Sequence, residues 1–176
     1  MNKPFSLAEA ADILRRQEDL LRVDAFSNHR AWELGCRIVE ESARRGISLA
    51  ACIRKLNGNI VFQAAGDGTD LTNQLWMERK YHTVSLMERS SLLAMVTCRL
   101  QGQSIQGMGL SDADYVLCGG GFPIRARDGS LLMVATVSAL PHEQDHAFLV
   151  DCLSKYLDIP TPQLPEDFKI PMDSSI

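Results

Sequence analysis

The chain has 176 residues, 45% of them hydrophobic, with 18 Lys and Arg against 22 Asp and Glu and a formal net charge of −4. That length suits one domain with a sizeable core, and a negative balance without a dense basic run excludes attraction to nucleic-acid phosphates or anionic lipid. No run approaches the ~18 apolar residues of a membrane span and the N-terminus lacks a signal-peptide layout, so a cytoplasmic protein without membrane or nucleic-acid partners is expected.

Ser6 and Glu9 have the spacing of a capping box and predict a helix to about Leu21, with Leu7, Ala10, Ala11, Leu14 and Leu21 on one side. A second helix is predicted from Ser27-Asn28 to Gly46, burying Trp32, Cys36, Val39 and Ala43 and turning Arg37, Glu40, Glu41, Arg44 and Arg45 to water. Asn57-Gly58 between two apolar runs marks a hairpin.

A helix from Asp70 or Thr72 to Arg89 follows, and a further helix capped at Ser90-Ser91 ends near Gly102. At ~100° per residue, Leu71, Leu75, Trp76, Met77, Tyr81, Val84, Leu86 and Met87 cover nearly the whole circumference of the first. A helix apolar all round needs cover on more than one side, and a second subunit would supply it. His82, between Leu75 and Leu86 on the wheel, reads as a core histidine.

Tyr115 to Cys118 lead into Gly119-Gly120-Gly121-Phe122-Pro123-Ile124, an Asp128-Gly129 turn and the apolar run Leu131 to Leu140. Adjacent glycines surrender packing and backbone entropy, and belong where backbone approaches a ligand or another backbone closely. A last helix starts at Pro141 or His142, with Phe148, Leu149, Cys152, Leu153, Tyr156 and Leu157 as its core stripe. Residues 1–158 thus read as a single α+β domain with an antiparallel sheet covered by helices. Residues 159–176, with Pro160, Pro162, Pro165 and Pro171, read as an extended or disordered arm.

The glycine run, the Asp-Gly turn, Thr136-Val137-Ser138, Leu140-Pro141 and Asp145-His146 resemble the heme-degrading-domain family (GlcG/HbpS-like) over roughly residues 6–158. The match extends to an uncharacterised branch that also carries Asn73, Trp76, Arg79-Lys80, Val84 and Ser90-Ser91. The resemblance implies a profilin-like helix–sheet–helix sandwich, a homo-oligomer, and heme or another small anionic ligand. It departs from the family pattern at Met133 and Ala139, where glycines are expected, so a positive φ at Ala139 would cost energy.

The candidate ligand residues are Asn73, Trp76, Arg79, Lys80, Gly119, Gly120, Gly121, Phe122 and His146, with no catalytic residue and no metal ligand assigned. Arg79 and Lys80 would hold a carboxylate, Trp76 would offer an aromatic wall and the glycine amides an anion-binding concavity. His146 would supply the imidazole. Two other classes stay open. His142-Glu143-Gln144-Asp145-His146 satisfies the HExxH string of a zinc-dependent hydrolase, with Glu166 downstream. A non-catalytic assembly protein would use Trp76 and Arg79 as interface anchors. The five cysteines are scattered too widely for a metal cluster or redox pair and read as reduced core thiols.

Overall fold

The computed structural model describes residues 5–172. Chain order is α1 (Leu7–Leu20), α2 (Asn28–Arg44), β1 (Ala50–Lys55), β2 (Ile60–Ala65), α3 (Leu71–Met87), α4 (Ser91–Gln101), β3 (Gly121–Arg125), β4 (Leu131–Ser138) and α5 (His142–Leu157). The four strands form one antiparallel sheet in the order β2-β1-β4-β3. Pro123, which cannot donate to a ladder, sits accordingly on an edge strand. None of the described helices is long and apolar enough to cross a membrane.

Helices cover both faces of the sheet, as expected for the α+β sandwich. Ala51, Ile53, Phe122, Ile124, Ala135 and Val137 point to one face and pack with α2 and α5 into the main core. The alternate residues Ala50, Cys52 and Val134 point to the other, where Met77, Tyr81 and Val84 of α3 meet them. Beside this sandwich, α1 and α4 pack together through Ala10, Leu14, Leu92 and Met95. All five cysteines are free thiols.

The local signals hold well. Ser6 and Glu9 make the capping box on α1, Asp70 caps α3 and Ser90 caps α4. The inward face of α2, however, is not the expected one. Ala31, Leu34 and Ile38 are buried, whereas Trp32 is 55% and Val39 38% exposed. The cause is Gly35, where an added Cβ would lie 2.3 Å from the Phe62 ring. The helix approaches the sheet at that glycine, which leaves Trp32 one position to the side, edge-on to Phe62 at 5.5 Å.

Tyr115 to Cys118 form no strand; the segment hangs on Thr83, whose hydroxyl donates to Val116 O at 2.8 Å and accepts from Val116 N at 3.0 Å. Ala139 lies outside the positive-φ region, so the missing glycine costs no backbone strain there. The proline-rich segment is packed against the domain as far as Met172: Ile170 is 4% exposed and Leu164 and Phe168 rest on the α1/α4 cluster. Its prolines block a helix but leave carbonyls free, and Gln17 donates to Pro162 O at 2.8 Å. Residues 173–176 lie outside the described residues.

Candidate functional site

The glycine run and α3 meet in a buried polar lock. Lys80 Nζ donates to Val137 O at 2.8 Å and to Asp145 Oδ2 at 2.9 Å, and both side chains are only 3% exposed. The second Asp145 oxygen accepts from Ala139 N at 3.2 Å and Leu140 N at 2.9 Å. Asn73 Nδ2 donates to Ser138 O and Oγ, both at 3.2 Å. Together α3 and α5 fix the end of β4 and the turn that follows it. Burial pushes the Asp145 carboxyl upward, and the Lys80 ammonium beside it opposes that shift.

The glycines are explained by this lock. Gly120 has φ +105°, and a Cβ there would come within 2.6 Å of Lys80 Nζ and 2.8 Å of Val137 O. At Gly119 it would sit 2.1 Å from His142 O, and at Gly121 2.9 Å from Val84 Cγ2. The close approach read from the sequence is therefore to backbone and side chains of this chain. The Gly119 amide donates to His142 Nδ1 at 3.3 Å and the Gly121 amide to Ser91 Oγ at 2.9 Å, so neither is free to cradle an anion. Phe122, 1% exposed, alternates to the α5 face of the sheet.

His146 is also enclosed. It is 1% exposed, its Nε2 lies 2.9 Å from Gln17 Oε1, and burial, followed by the influence of His142, pushes its pKa down to about 3. His142 receives the Gly119 N–H on Nδ1, so its proton sits on Nε2 and goes to Ile170 O at 2.9 Å. The two imidazoles of the HExxH string thus serve different neighbours, the glycine segment and arm in one case and α1 in the other. Among the described residues no group of three His, Cys, Asp or Glu is placed to hold a metal ion. Cys118, beside the glycines, is buried and its thiol is pushed up to about 11 by that burial, which leaves it a poor nucleophile.

The outer side of α3 is different. The Arg79 guanidinium lies over the Trp76 ring at 4.8 Å and its Nε donates to Tyr115 O at 3.3 Å. No carboxylate pairs with Arg79 among the described residues. One turn on, His82 is half-buried rather than in the core. Its Nδ1 is 2.9 Å from Asp114 O, which places the proton on that nitrogen and leaves Nε2 an acceptor without a partner among the described residues. Its ring sits between Tyr81 and Tyr115, at 5.6 and 5.8 Å. Along the same side Leu71, Leu75 and Leu86 are 71%, 55% and 52% exposed.

The sequence-selected residues are therefore distributed over three places. Asn73, Lys80 and Gly119 to Gly121 build the lock, Phe122 and His146 lie on the α5 face, and Trp76 and Arg79 look outward. His82 and Tyr115 join that outer pair and were missed as site residues. The i, i+3 spacing of Arg79 and His82 was the available signal, obscured because flanking leucines made the position read as core.

A family model described as "Haem degrading protein HbpS-like" matches residues 26–154. A UPF0303 protein of Acidobacterium capsulatum is 33% identical over 165 residues, covering 92% of this chain and 99% of that protein. Among solved structures, the Ybr137w protein superposes with a TM-score of 0.76 at 24% identity, over 84% of this chain and 88% of that one. A structure described as a PduOC:heme complex gives 0.64 at 20% identity, over 79% and 99%. These likenesses establish the fold, and the family match spans most of the domain, so the chain belongs to the haem-degrading HbpS-like family.

Proposed function

We propose that this protein is a cytoplasmic homo-oligomer that binds heme, or another small planar anionic ligand, on the outer face of α3. The observation that carries the reading is Arg79: a guanidinium stacked on Trp76, without a carboxylate partner among the described residues, next to the His82 Nε2 that has no partner there. By contrast its neighbour Lys80 is neutralised inside the protein. A tetrapyrrole fits these groups. Its apolar plane suits the exposed leucine row and Trp76, a propionate suits Arg79, and the His82 imidazole is a donor of the type that holds heme iron.

The family's description and the heme complex of a protein with this fold support the ligand class. The exposed leucines support a second copy covering the same helix, which would sandwich the ligand and exclude water from it. No turnover is assigned.

The test is a hemin titration of the purified protein, read at the Soret band, for wild type, Arg79→Ala, His82→Ala and His146→Ala. We expect a saturable band that Arg79→Ala weakens about tenfold or more, that His82→Ala shifts, and that the enclosed His146 does not influence. Featureless, non-saturating absorbance in the wild type would remove heme as the ligand.

A further inference from the structure

A cavity of about 370 Å³ lies between α1, the first turns of α5 and the arm. Leu164 and Phe168 of the arm and Ala147 of α5 supply its apolar wall, and its polar groups include Gln17, Glu143, Gln144, His146 and Gln163. Nothing in the heme reading uses it. We infer that it binds a small amine with an aromatic or branched aliphatic body, held by Glu143 beneath the arm.

The shielded Glu143 carboxylate selects that chemistry. The Gln17 carboxamide is engaged in both directions, donating to Pro162 O at 2.8 Å and accepting from His146 Nε2 at 2.9 Å, and keeps one further N–H. With its proton on Nε2, His146 offers only Nδ1, an acceptor without a partner among the described residues. One Glu143 oxygen accepts from Ile170 N at 2.8 Å and lies 3.4 Å from His142 Nε2; the other has no partner there. The Glu143 side chain is 10% exposed, so an ammonium meeting it would do so largely out of water.

The neutral amides of Gln17, Gln144 and Gln163 can donate or accept and prefer neither charge, whereas the acceptors of His146 and Glu143 include the one carboxylate oxygen that is both largely shielded from water and unpartnered among the described residues. The rim carries one charge of each sign, Glu166 and Lys169, and so selects for neither. An anion would meet the Glu143 carboxylate, a like charge held largely out of water. A purely apolar molecule would leave the acceptors dry and unpaired. Because Glu143 also receives the Ile170 amide, an occupant of this site would tighten the arm against the domain.

The test uses phenethylamine as probe and phenylacetate as its anionic counterpart, titrated against the full-length protein and followed by backbone amide NMR shifts. Two variants report on the site: Glu143→Gln, which keeps an acceptor for the Ile170 amide, and Ala147→Phe, which fills the cavity from a solvent-facing position. We expect saturable phenethylamine shifts around Ala147, Leu164 and Lys169, weakened tenfold or more by Glu143→Gln and lost in Ala147→Phe. Phenylacetate should bind at least tenfold more weakly. The inference is overturned if phenethylamine gives no saturable shift, if phenylacetate binds equally well, or if Ala147→Phe binds like wild type.

Discussion

Lys80 of α3 and Asp145 of α5 form an ion pair at 2.9 Å across 65 residues of chain, both side chains 3% exposed. Two charges are stable so deep only because the geometry satisfies each of them: Lys80 also reaches Val137 O, and Asp145 also collects two backbone N–H groups. Removing one partner strands the other. Lys80→Met should destabilise the fold by ~3–5 kcal/mol, measured by urea denaturation. Asp145→Asn in the same chain still accepts from the turn and no longer carries an orphaned charge, so the double variant should recover part of the loss. A cost below about 1 kcal/mol for Lys80→Met would show that the pair does not hold α3 to α5.

The glycine run gives a sharper contrast. Gly120→Ala asks an L-residue to hold φ +105° with its Cβ 2.6 Å from Lys80 Nζ and 2.8 Å from a carbonyl oxygen. Neither contact relaxes without breaking the lock. We expect a loss of several kcal/mol and a protein that fails to accumulate folded. Gly107→Ala, whose added Cβ meets only Ser104 Oγ at 3.1 Å and needs no positive φ, should change thermal stability by ~1 kcal/mol or less. Equal melting temperatures for Gly120→Ala and wild type would contradict the packing described for the run.

Much of the fold was legible because its signals are local. Ser6 with Glu9, Asn57-Gly58 and Ser90 act within a few residues of themselves, and each produces the predicted cap or turn. Facing was less legible. On α2 the stripes through Trp32 and through Ala31 have the same period, and the choice is made by Gly35 against a Phe62 ring that is distant in sequence. The site was obscured for the same reason. Arg79 and Lys80 are adjacent and alike in charge, yet only the position of Asp145 decides that one is consumed inside and the other is left at the surface. The arm carries apolar residues at 164, 168 and 170 without helical or strand period, so nothing marked them as packed.

The exposed leucines make assembly directly testable. Leu75 is 55% exposed and central to the row formed by Leu71, Leu75 and Leu86, so Leu75→Glu puts a charge into any interface built there. Its own helix should be undisturbed, since Glu is a good helix former at a solvent-facing position. Light scattering should report a multiple of the 19.5 kDa chain mass for wild type and a shift toward one chain for the variant, with unchanged far-UV dichroism. A wild-type mass of one chain would reject the homo-oligomer, and a variant that keeps the wild-type mass would place the interface elsewhere.

The buried histidines should make the protein acid-sensitive. His146 has its pKa depressed to about 3 by burial, whereas in the unfolded chain an imidazole titrates near 6.5. Above pH 6.5 both states are neutral and the contribution to stability is fully present. As pH falls below 6.5 the unfolded chain takes up a proton that the folded protein refuses, so stability is lost progressively down to about pH 3. Between pH 7 and pH 5 this single group should cost ~2 kcal/mol. His142, whose pKa burial also lowers, adds in the same direction. Urea midpoints at the two pH values measure the loss. In His146→Gln, which can still donate toward Gln17, the loss should shrink to what His142 and the surface groups contribute. An equal loss in wild type and variant would mean that His146 takes up a proton in the folded state as readily as in the unfolded one.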